Sequence, residues 1–267
     1  MNRPGKEGPA SRARRSAAPR VRRVAAGLAA VPLVAAVLTG CGPARGEDTL
    51  QVLAAASLTD AFTELGDRFE AAHDGTDVQF SFGSSTDLAE QAADGAPGSV
   101  LATADEDAMT IATDAGAAAA PTVFATNTLV IVTPRDNPAG IGSLRDLAGT
   151  TWVRCADQAP CGRVARTVLQ DAGISATPAS LEEDVRATLD KVVSGEADAA
   201  LVYATDAASA GDAVTTVDIP GAEREQNSYL IAALAGANDP ELARAWTDFV
   251  TGPEGEAVLT AAGFSRP

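Results

Sequence analysis

The chain has very little histidine and cysteine, which are the residues that many active sites and metal centres depend on. Its 267 residues include three cysteines and one histidine, His73. A serine nucleophile needs a base, and His73 lies in the polar segment Ala72-His73-Asp74-Gly75, where nothing indicates a catalytic triad. We therefore expect a protein that is not an enzyme.

Positive charge is also scarce once the N-terminus is set aside. Residues 1–40 hold eight basic side chains and one acid, so residues 41–267 have 12 basic against 35 acidic side chains and a charge of −23. This balance argues against nucleic acid as a partner. It does not exclude a small anion, because surface charges are screened over about 8 Å at physiological salt, whereas buried N–H dipoles act at contact. An anion site here would depend on such local dipoles.

The apolar run near the N-terminus, Val24 to Leu38, is too short to span a bilayer comfortably. An arginine-rich stretch precedes it, and Leu38-Thr39-Gly40-Cys41 follows, which resembles the bacterial lipobox. In a lipobox the cysteine is lipidated and becomes the first mature residue. We predict a lipoprotein signal peptide over residues 1–40, a tether over 41–47, and an extracytoplasmic protein anchored to the cell membrane through Cys41. The alternative is a plain secretory signal with a coincidental cysteine.

Two segments, Leu50 to Ser57 and Val78 to Ser85, share one construction, in which an apolar strand runs into a serine that opens an amphipathic helix. With Asp60 three residues on, Ser57 is typical of an N-cap. Ligands of open α/β sheets bind at the carboxyl ends of strands, and two helix N-termini with hydroxyls can hold an oxyanion. Alternatively, each serine only caps its helix, which is worth about 1 kcal/mol.

The rest of the chain alternates strands with helices and has no internal repeat of fixed period. This order predicts an α/β fold with mainly parallel sheets. Two helices, Pro240 to Thr251 and Pro253 to Ala262, are predicted to close the chain. The predicted strands are Leu50 to Ala54, Val78 to Phe82, Ser99 to Thr103, Thr128 to Thr133, Thr151 to Arg154, Ala199 to Tyr203, Val214 to Ile219 and Tyr229 to Leu234.

A third candidate element, Arg154 to Arg163, follows a strand and leads into a helix. In an oxidising compartment its cysteines, Cys155 and Cys161, most simply pair with each other. Such a short loop would gain about 2 kcal/mol and hold the turn rigid. Metal binding by the pair is the competing interpretation, disfavoured because the single histidine is far away in sequence. Gly162 would let the backbone approach a ligand closely.

A fourth element has two possible helix starts. Ser180 with Glu183 would make a capping box, which would tie up the Val185 N–H inside the helix. A start at Glu183 or Asp184 would leave that N–H free for a ligand. Tyr203 then ends a strand, either as an ordinary amphipathic tyrosine or as a hydroxyl donor to a site.

Taken together, these segments resemble the molybdate-binding proteins of ABC importers, which have the type II periplasmic-binding-protein fold. The resemblance covers nearly all of the chain after the tether. It rests on segments in one order: Ala54-Ala55-Ala56-Ser57-Leu58-Thr59, Phe82-Gly83-Ser84-Ser85-Thr86-Asp87-Leu88-Ala89, Gly95-Ala96-Pro97, Ala104-Asp105, Asn127-Thr128-Leu129-Val130, Ala159-Pro160-Cys161-Gly162, Glu183-Asp184-Val185-Arg186 and Val202-Tyr203.

The resemblance implies which residues hold the oxyanion. The expected donors are hydroxyl and backbone N–H groups, at Ser57, Ser85, Cys161, Val185 and Tyr203. Ser84 is the neighbour that a shift of one residue would bring into the set. Arg163 and Arg186 lie beside these positions in sequence, and we expect both to face solvent.

The resemblance also implies a two-lobed architecture with the ligand in the cleft. Lobe 1 is expected to span residues 48–127 with 222–267, and lobe 2 residues 128–221. The implied function is capture of molybdate, and of tungstate, for delivery to an ABC permease and its ATPase, by a monomer without a cofactor. The alternative is a binding protein for another tetrahedral oxyanion, such as sulfate.

Overall fold

A computed structural model of the protein describes residues 48–267. The predicted signal peptide, Cys41 and the tether lie outside these residues. Within them no helix has both the length and the apolar character needed to cross a membrane. They form strands β1 (Asp48–Ala55), β2 (Thr76–Gly83), β3 (Val100–Thr103), β4 (Thr122–Asn127), β5 (Leu129–Pro134), β6 (Trp152–Cys155), β7 (Ser180–Glu182), β8 (Ala199–Tyr203), β9 (Val214–Asp218) and β10 (Asn227–Ala233), with helices α1 (Thr59–Ala72), α2 (Ser85–Ala93), α3 (Glu106–Asp114), α4 (Pro160–Asp171), α5 (Val185–Val193), α6 (Ala204–Ala210), α7 (Pro240–Thr251) and α8 (Pro253–Ala261).

The strands form two mixed five-stranded sheets. The first has the order β2-β1-β3-β10-β4 and the second the order β7-β6-β8-β5-β9. In the first sheet β10 is antiparallel to both of its neighbours, and in the second sheet β5 is antiparallel to both of its neighbours. The chain leaves the first sheet after Asn127 and returns to it at Asn227. We call the half built on the first sheet the first lobe and the other half the second lobe; their boundaries in sequence remain predictions.

Helices cover both faces of the first sheet. Along β1, Leu50 and Val52 pack toward α1, α7 and α8, whereas Leu53 packs toward α2 and α3. Aromatic rings fill the first of these layers: the Trp246 ring lies edge-on to Phe62 at 5.8 Å and to Phe69 at 5.2 Å. Burial on both faces explains why β1 is continuously apolar from Val52 to Ala55.

The core of the second lobe is mainly aliphatic, with Trp152 and Tyr203 as its buried aromatic members. One member of this core, Ala56, comes from the first lobe. The two lobes are therefore packed against each other next to the end of β1.

All eight predicted strands are present, with ends that shift by at most two residues. The prediction missed two strands, β4 and β7. Strand β4 runs into β5 with no glycine or proline between them, so no turn-forming residue marks the point where the chain passes from one sheet to the other. Strand β7 has three residues, and its apolar member Leu181 is 50% exposed, so it has no hydrophobic periodicity. The helix Pro240–Thr251 is as predicted, and Pro253–Ala261 ends one residue earlier.

Candidate functional site

A small cavity lies between the lobes, where the ends of several strands meet helix N-termini. It contains all five positions expected from the sequence, and Ser84 beside them. The residues that line it are Ala55, Ala56, Ser57, Gly83, Ser84, Ser85, Ala104, Ala159, Pro160, Cys161, Asp184, Val185 and Tyr203.

Ser57 is placed in the cavity by a short turn of 3-10 helix, Ala56–Leu58, which connects β1 to α1. The prediction that Ser57 caps α1 is wrong, because this turn intervenes and α1 starts at Thr59. Instead, the Ser57 Oγ lies 2.8 Å from the phenol oxygen of Tyr229. The hydroxyl is held by a partner across the first lobe and not by its own helix.

Ser85 is the first residue of α2, and Ser84 occupies the N-cap position without a capping side-chain bond. The Ser85 Oγ accepts a hydrogen bond of 2.9 Å from the Ala104 N–H. Because that bond uses the oxygen as an acceptor, the hydroxyl proton remains available for an acceptor in the cavity. The Ser84 Oγ is buried, and no described residue is its hydrogen-bond partner.

In the second lobe, a disulfide holds the start of α4. Cys155 and Cys161 are joined as predicted, with Cα atoms 5.7 Å apart. Pro160 is the first residue of α4, so Cys161 lies in the first turn, whose N–H groups have no acceptor within the helix. The interpretation of Gly162 needs correction: a Cβ there would overlap the Ala156 carbonyl oxygen, so this glycine permits close approach of backbone to backbone rather than to a ligand.

The second of the two predicted helix starts is the one observed for α5. Ser180 belongs to β7, and Asp184 is the N-cap residue. The Asp184 carboxylate accepts hydrogen bonds from the N–H groups of Arg186 at 2.8 Å and Ala187 at 2.9 Å. The N–H of Val185, the residue before Arg186, does not take part in the cap. Val185 lies at the edge of the cavity.

Tyr203 ends β8 and presents a buried hydroxyl to the cavity. Its side chain is 1% exposed, and no described residue is a hydrogen-bond partner of its oxygen. Burial raises the pKa of Tyr203 well above its ordinary value, and the neighbouring Tyr229 adds to the shift. The phenol is therefore a neutral donor at physiological pH.

Among residues 48–267, the cavity lining combines hydroxyls and helix N-termini and contains no lysine or arginine; its one carboxylate, Asp184, accepts the N–H groups of Arg186 and Ala187. The partial positive charge of a helix N-terminus favours an anion. The lining also contains no histidine to act as a general base for its serines. Across residues 48–267, no three His, Cys, Asp or Glu side chains are grouped so that they could hold a metal ion. The arrangement is suited to holding an anion.

Two arginines beside the cavity join the lobes, so the expectation that both face solvent is wrong. Arg163 of α4 lies 2.6 Å from Asp105 of the first lobe, and its side chain is 22% exposed. Arg186 of α5 lies 2.5 Å from Asp60 of α1 and 3.0 Å from Asp206, which is fully buried. Burial raises the pKa of Asp206 to about 7, against the opposing effect of Arg186.

Sequence reasoning missed the residues that support the serines. Tyr229 is 172 residues from Ser57, and its polar neighbours Asn127 and Thr205 lie on other elements. On its own strand, Tyr229 is indistinguishable from a core aromatic residue. The sequence contains no local signal for this network, which depends on the order of strands in the sheet.

The fold and the cavity define a class, the two-lobed solute-binding proteins. Residues 50–265 match the family described as bacterial extracellular solute-binding protein. The molybdate-binding protein ModA of Mycobacterium tuberculosis is 41% identical over 245 residues, which cover 91% of this chain and 94% of that protein. The chain belongs to this family of extracytoplasmic binding proteins, within the ModA group, and is not an enzyme.

Solved structures share the fold. The periplasmic molybdate-binding protein of Azotobacter vinelandii has a TM-score of 0.71 at 22% identity, covering 82% of this chain and 99% of that one. The sulfate-binding protein SubI of M. tuberculosis has a TM-score of 0.72 at 18% identity, covering 82% and 87%. One fold thus serves two proteins named for different oxyanions, and the identity of the ligand must be argued from the cavity.

Proposed function

We propose that this protein captures molybdate, and tungstate as well, in the cavity between its lobes and delivers it to an ABC importer. The observation that carries the proposal is a cavity with hydroxyl and N–H donors and, among the described residues, no basic side chain; its one carboxylate, Asp184, is engaged as the N-cap of α5. Membership of the ModA group supports molybdate over other oxyanions. Molybdate is then the transported ligand, and no cofactor is involved.

The proposed ligand shell has donors from both lobes. The first lobe supplies the hydroxyl and N–H groups of Ser57 and Ser85, and the second lobe supplies the N–H groups of Cys161 and Val185 and the hydroxyl of Tyr203. Hydrogen bonds to a charged group are worth about 1.5 to 3 kcal/mol each. About seven of them could offset the desolvation of a dianion without any arginine or lysine.

A shell made of donors selects among anions by their protonation. Molybdate, tungstate and sulfate are fully deprotonated at pH 7, so each oxygen accepts hydrogen bonds. Hydrogen phosphate carries a proton that needs an acceptor, which costs free energy if none is present. Sulfate has the same charge and shape as molybdate but is smaller, so discrimination must come from the size of the cavity, whose donors lie too far apart to make short hydrogen bonds to sulfate.

Binding between the lobes favours the closed arrangement, because only closure brings both sets of donors to one ion. We propose that the permease recognises this closed form. A lipid on Cys41, outside the described residues, would keep the protein at the membrane near the permease. In the full chain, a labelled fatty acid should then be incorporated into the wild-type protein and not into Cys41→Ala, and equal labelling of the two proteins would overturn the lipid anchor.

The decisive experiment is isothermal titration of the delipidated protein with molybdate, tungstate, sulfate and phosphate in one buffer. We expect tight one-to-one binding of molybdate and tungstate, weak binding of sulfate and no binding of phosphate. Equal binding of sulfate would assign the protein to general oxyanion import. No heat from any of the four would refute the proposed site.

A further inference from the structure

A buried chain of hydrogen bonds leads from the crossing between the sheets to Ser57. At the end of β4, Asn127 donates from its Nδ2 to the Thr205 Oγ1 at 2.8 Å and to the Tyr229 phenol oxygen at 3.4 Å. The Tyr229 oxygen in turn lies 2.8 Å from the Ser57 Oγ. All four side chains are buried, with exposures of 0 to 4%. Ser57 is the one member that also lines the cavity.

The direction of donation along this chain follows from its first member. The Asn127 Oδ1 accepts a bond of 3.0 Å from the Thr128 N–H, which fixes the amide so that its NH₂ group faces Thr205 and Tyr229. An amide nitrogen only donates, so the Tyr229 oxygen is an acceptor toward Asn127. The Tyr229 proton is then directed to its other close neighbour, the Ser57 Oγ.

Tyr229 keeps this proton under physiological conditions. Its side chain is completely buried, and burial raises the pKa of the phenol well above the ordinary value. Its ring packs edge-on against Phe264 at 5.2 Å and against Tyr203 at 6.1 Å. The phenol is therefore held in place on both sides.

We infer that Tyr229 is a positioning residue that sets the selectivity of the anion site by fixing the hydroxyl proton of Ser57. The inference rests on the proposed function. A serine hydroxyl has one proton and can also accept. When the Tyr229 O–H donates to the Ser57 Oγ, the Ser57 proton cannot point back to Tyr229 and is directed to the bound anion.

The consequence concerns protonated anions. Without the Tyr229 hydroxyl, the Ser57 proton is no longer directed to the anion, and the Ser57 oxygen has one more lone pair free to accept the proton of hydrogen phosphate. Loss of the Tyr229 hydroxyl should therefore weaken molybdate binding and leave phosphate binding unchanged or stronger. If Tyr229 only supported the packing of the site, its substitution would weaken the binding of both anions together.

The test is Tyr229→Phe, which keeps the ring and removes the hydroxyl, measured alone and combined with Ser57→Ala. We expect the molybdate affinity of Tyr229→Phe to fall about 10-fold, as for loss of one oriented bond to a charged group. In the Ser57→Ala background the same substitution should have almost no effect, because Tyr229 acts through Ser57. Competition of phosphate against molybdate should become stronger in Tyr229→Phe than in the wild-type protein.

A matched control is Thr133→Val, which removes an equally buried hydroxyl at the far end of β5 and should leave molybdate affinity unchanged. The inference would be overturned if Tyr229→Phe lowered molybdate affinity equally in the wild-type and the Ser57→Ala backgrounds. It would also be overturned if Tyr229→Phe alone bound molybdate with wild-type affinity. If the wild-type protein itself binds none of the four anions, the proposed function fails and the inference fails with it. The wild-type titration therefore separates the two failures.

Discussion

The two lobes build their halves of the cavity in different ways. The first lobe contributes serine hydroxyls that are each held by a neighbour, Ser57 by Tyr229 at 2.8 Å and Ser85 by the Ala104 N–H at 2.9 Å. The second lobe contributes mainly the N-termini of α4 and α5, together with the hydroxyl of Tyr203. One half consists of oriented side chains and the other largely of backbone.

This difference determines where the site is sensitive to substitution. A hydroxyl donor is lost when the side chain changes, whereas a peptide N–H is present in every residue except proline. The second lobe instead depends on what positions its backbone, namely the Asp184 cap of α5 and the disulfide before α4. Substitution of a donor side chain, such as Ser85, should thus lower affinity strongly, whereas substitution at a position that donates through its backbone, such as Val185, should act mainly on stability.

The largest expected effect tests this contrast directly. Ser85→Ala removes a hydroxyl donor, and molybdate affinity should fall about 10- to 100-fold, in line with one hydrogen bond to a charged group. Val185→Ala keeps its N–H, so affinity should stay close to that of the wild-type protein although a buried side chain is trimmed. Titration calorimetry on both variants measures the contrast.

The melting temperatures of the unliganded variants supply the control. Both should melt below the wild-type protein: Ser85→Ala because the Ala104 N–H loses its acceptor, and Val185→Ala because it leaves a small cavity. Similar stability losses with very different affinities would support the comparison. If the two variants lost affinity equally, the division into side-chain and backbone halves would be wrong.

A smaller effect is expected at the contact between the lobes. Asp60→Asn breaks the ion pair between Asp60 and Arg186. The Asp60 side chain is 58% exposed and the Arg186 side chain 26%. Exposed pairs are worth about 0 to 1 kcal/mol and are screened by salt. Molybdate affinity should fall by at most about fivefold at low salt, and the difference should vanish at high salt.

Asp67→Asn is the matched control for this pair, because Asp67 is an exposed acid on the same helix α1. It removes the same charge, so any general effect of net charge on anion binding appears in both variants. An equal, salt-sensitive change in the two variants would assign the effect to net charge and not to contact between the lobes.

The sequence was informative where local pattern decides the structure. The strands before Ser57 and Ser85 could be predicted from apolar runs and alternation, and α7 from a proline at its start. The arginine contacts and the Tyr229 network could not be predicted, because they join elements far apart in the chain. Strand β10 comes last in sequence yet lies between β3 and β4, and this insertion alone brings Tyr229 to Ser57.

The smallest expected effect on affinity comes from the disulfide, although its effect on stability should be clear. Replacing Cys155 and Cys161 together with serine should lower the free energy of unfolding by about 2 kcal/mol, measured by urea denaturation. Affinity should change little, since Cys161 would act through its N–H. Reducing agent should reproduce the stability loss in the wild-type protein and have no effect on the double variant. A large loss of affinity would instead show that the disulfide holds the start of α4 in the geometry that the anion requires, which would make the second lobe as dependent on its side chains as the first.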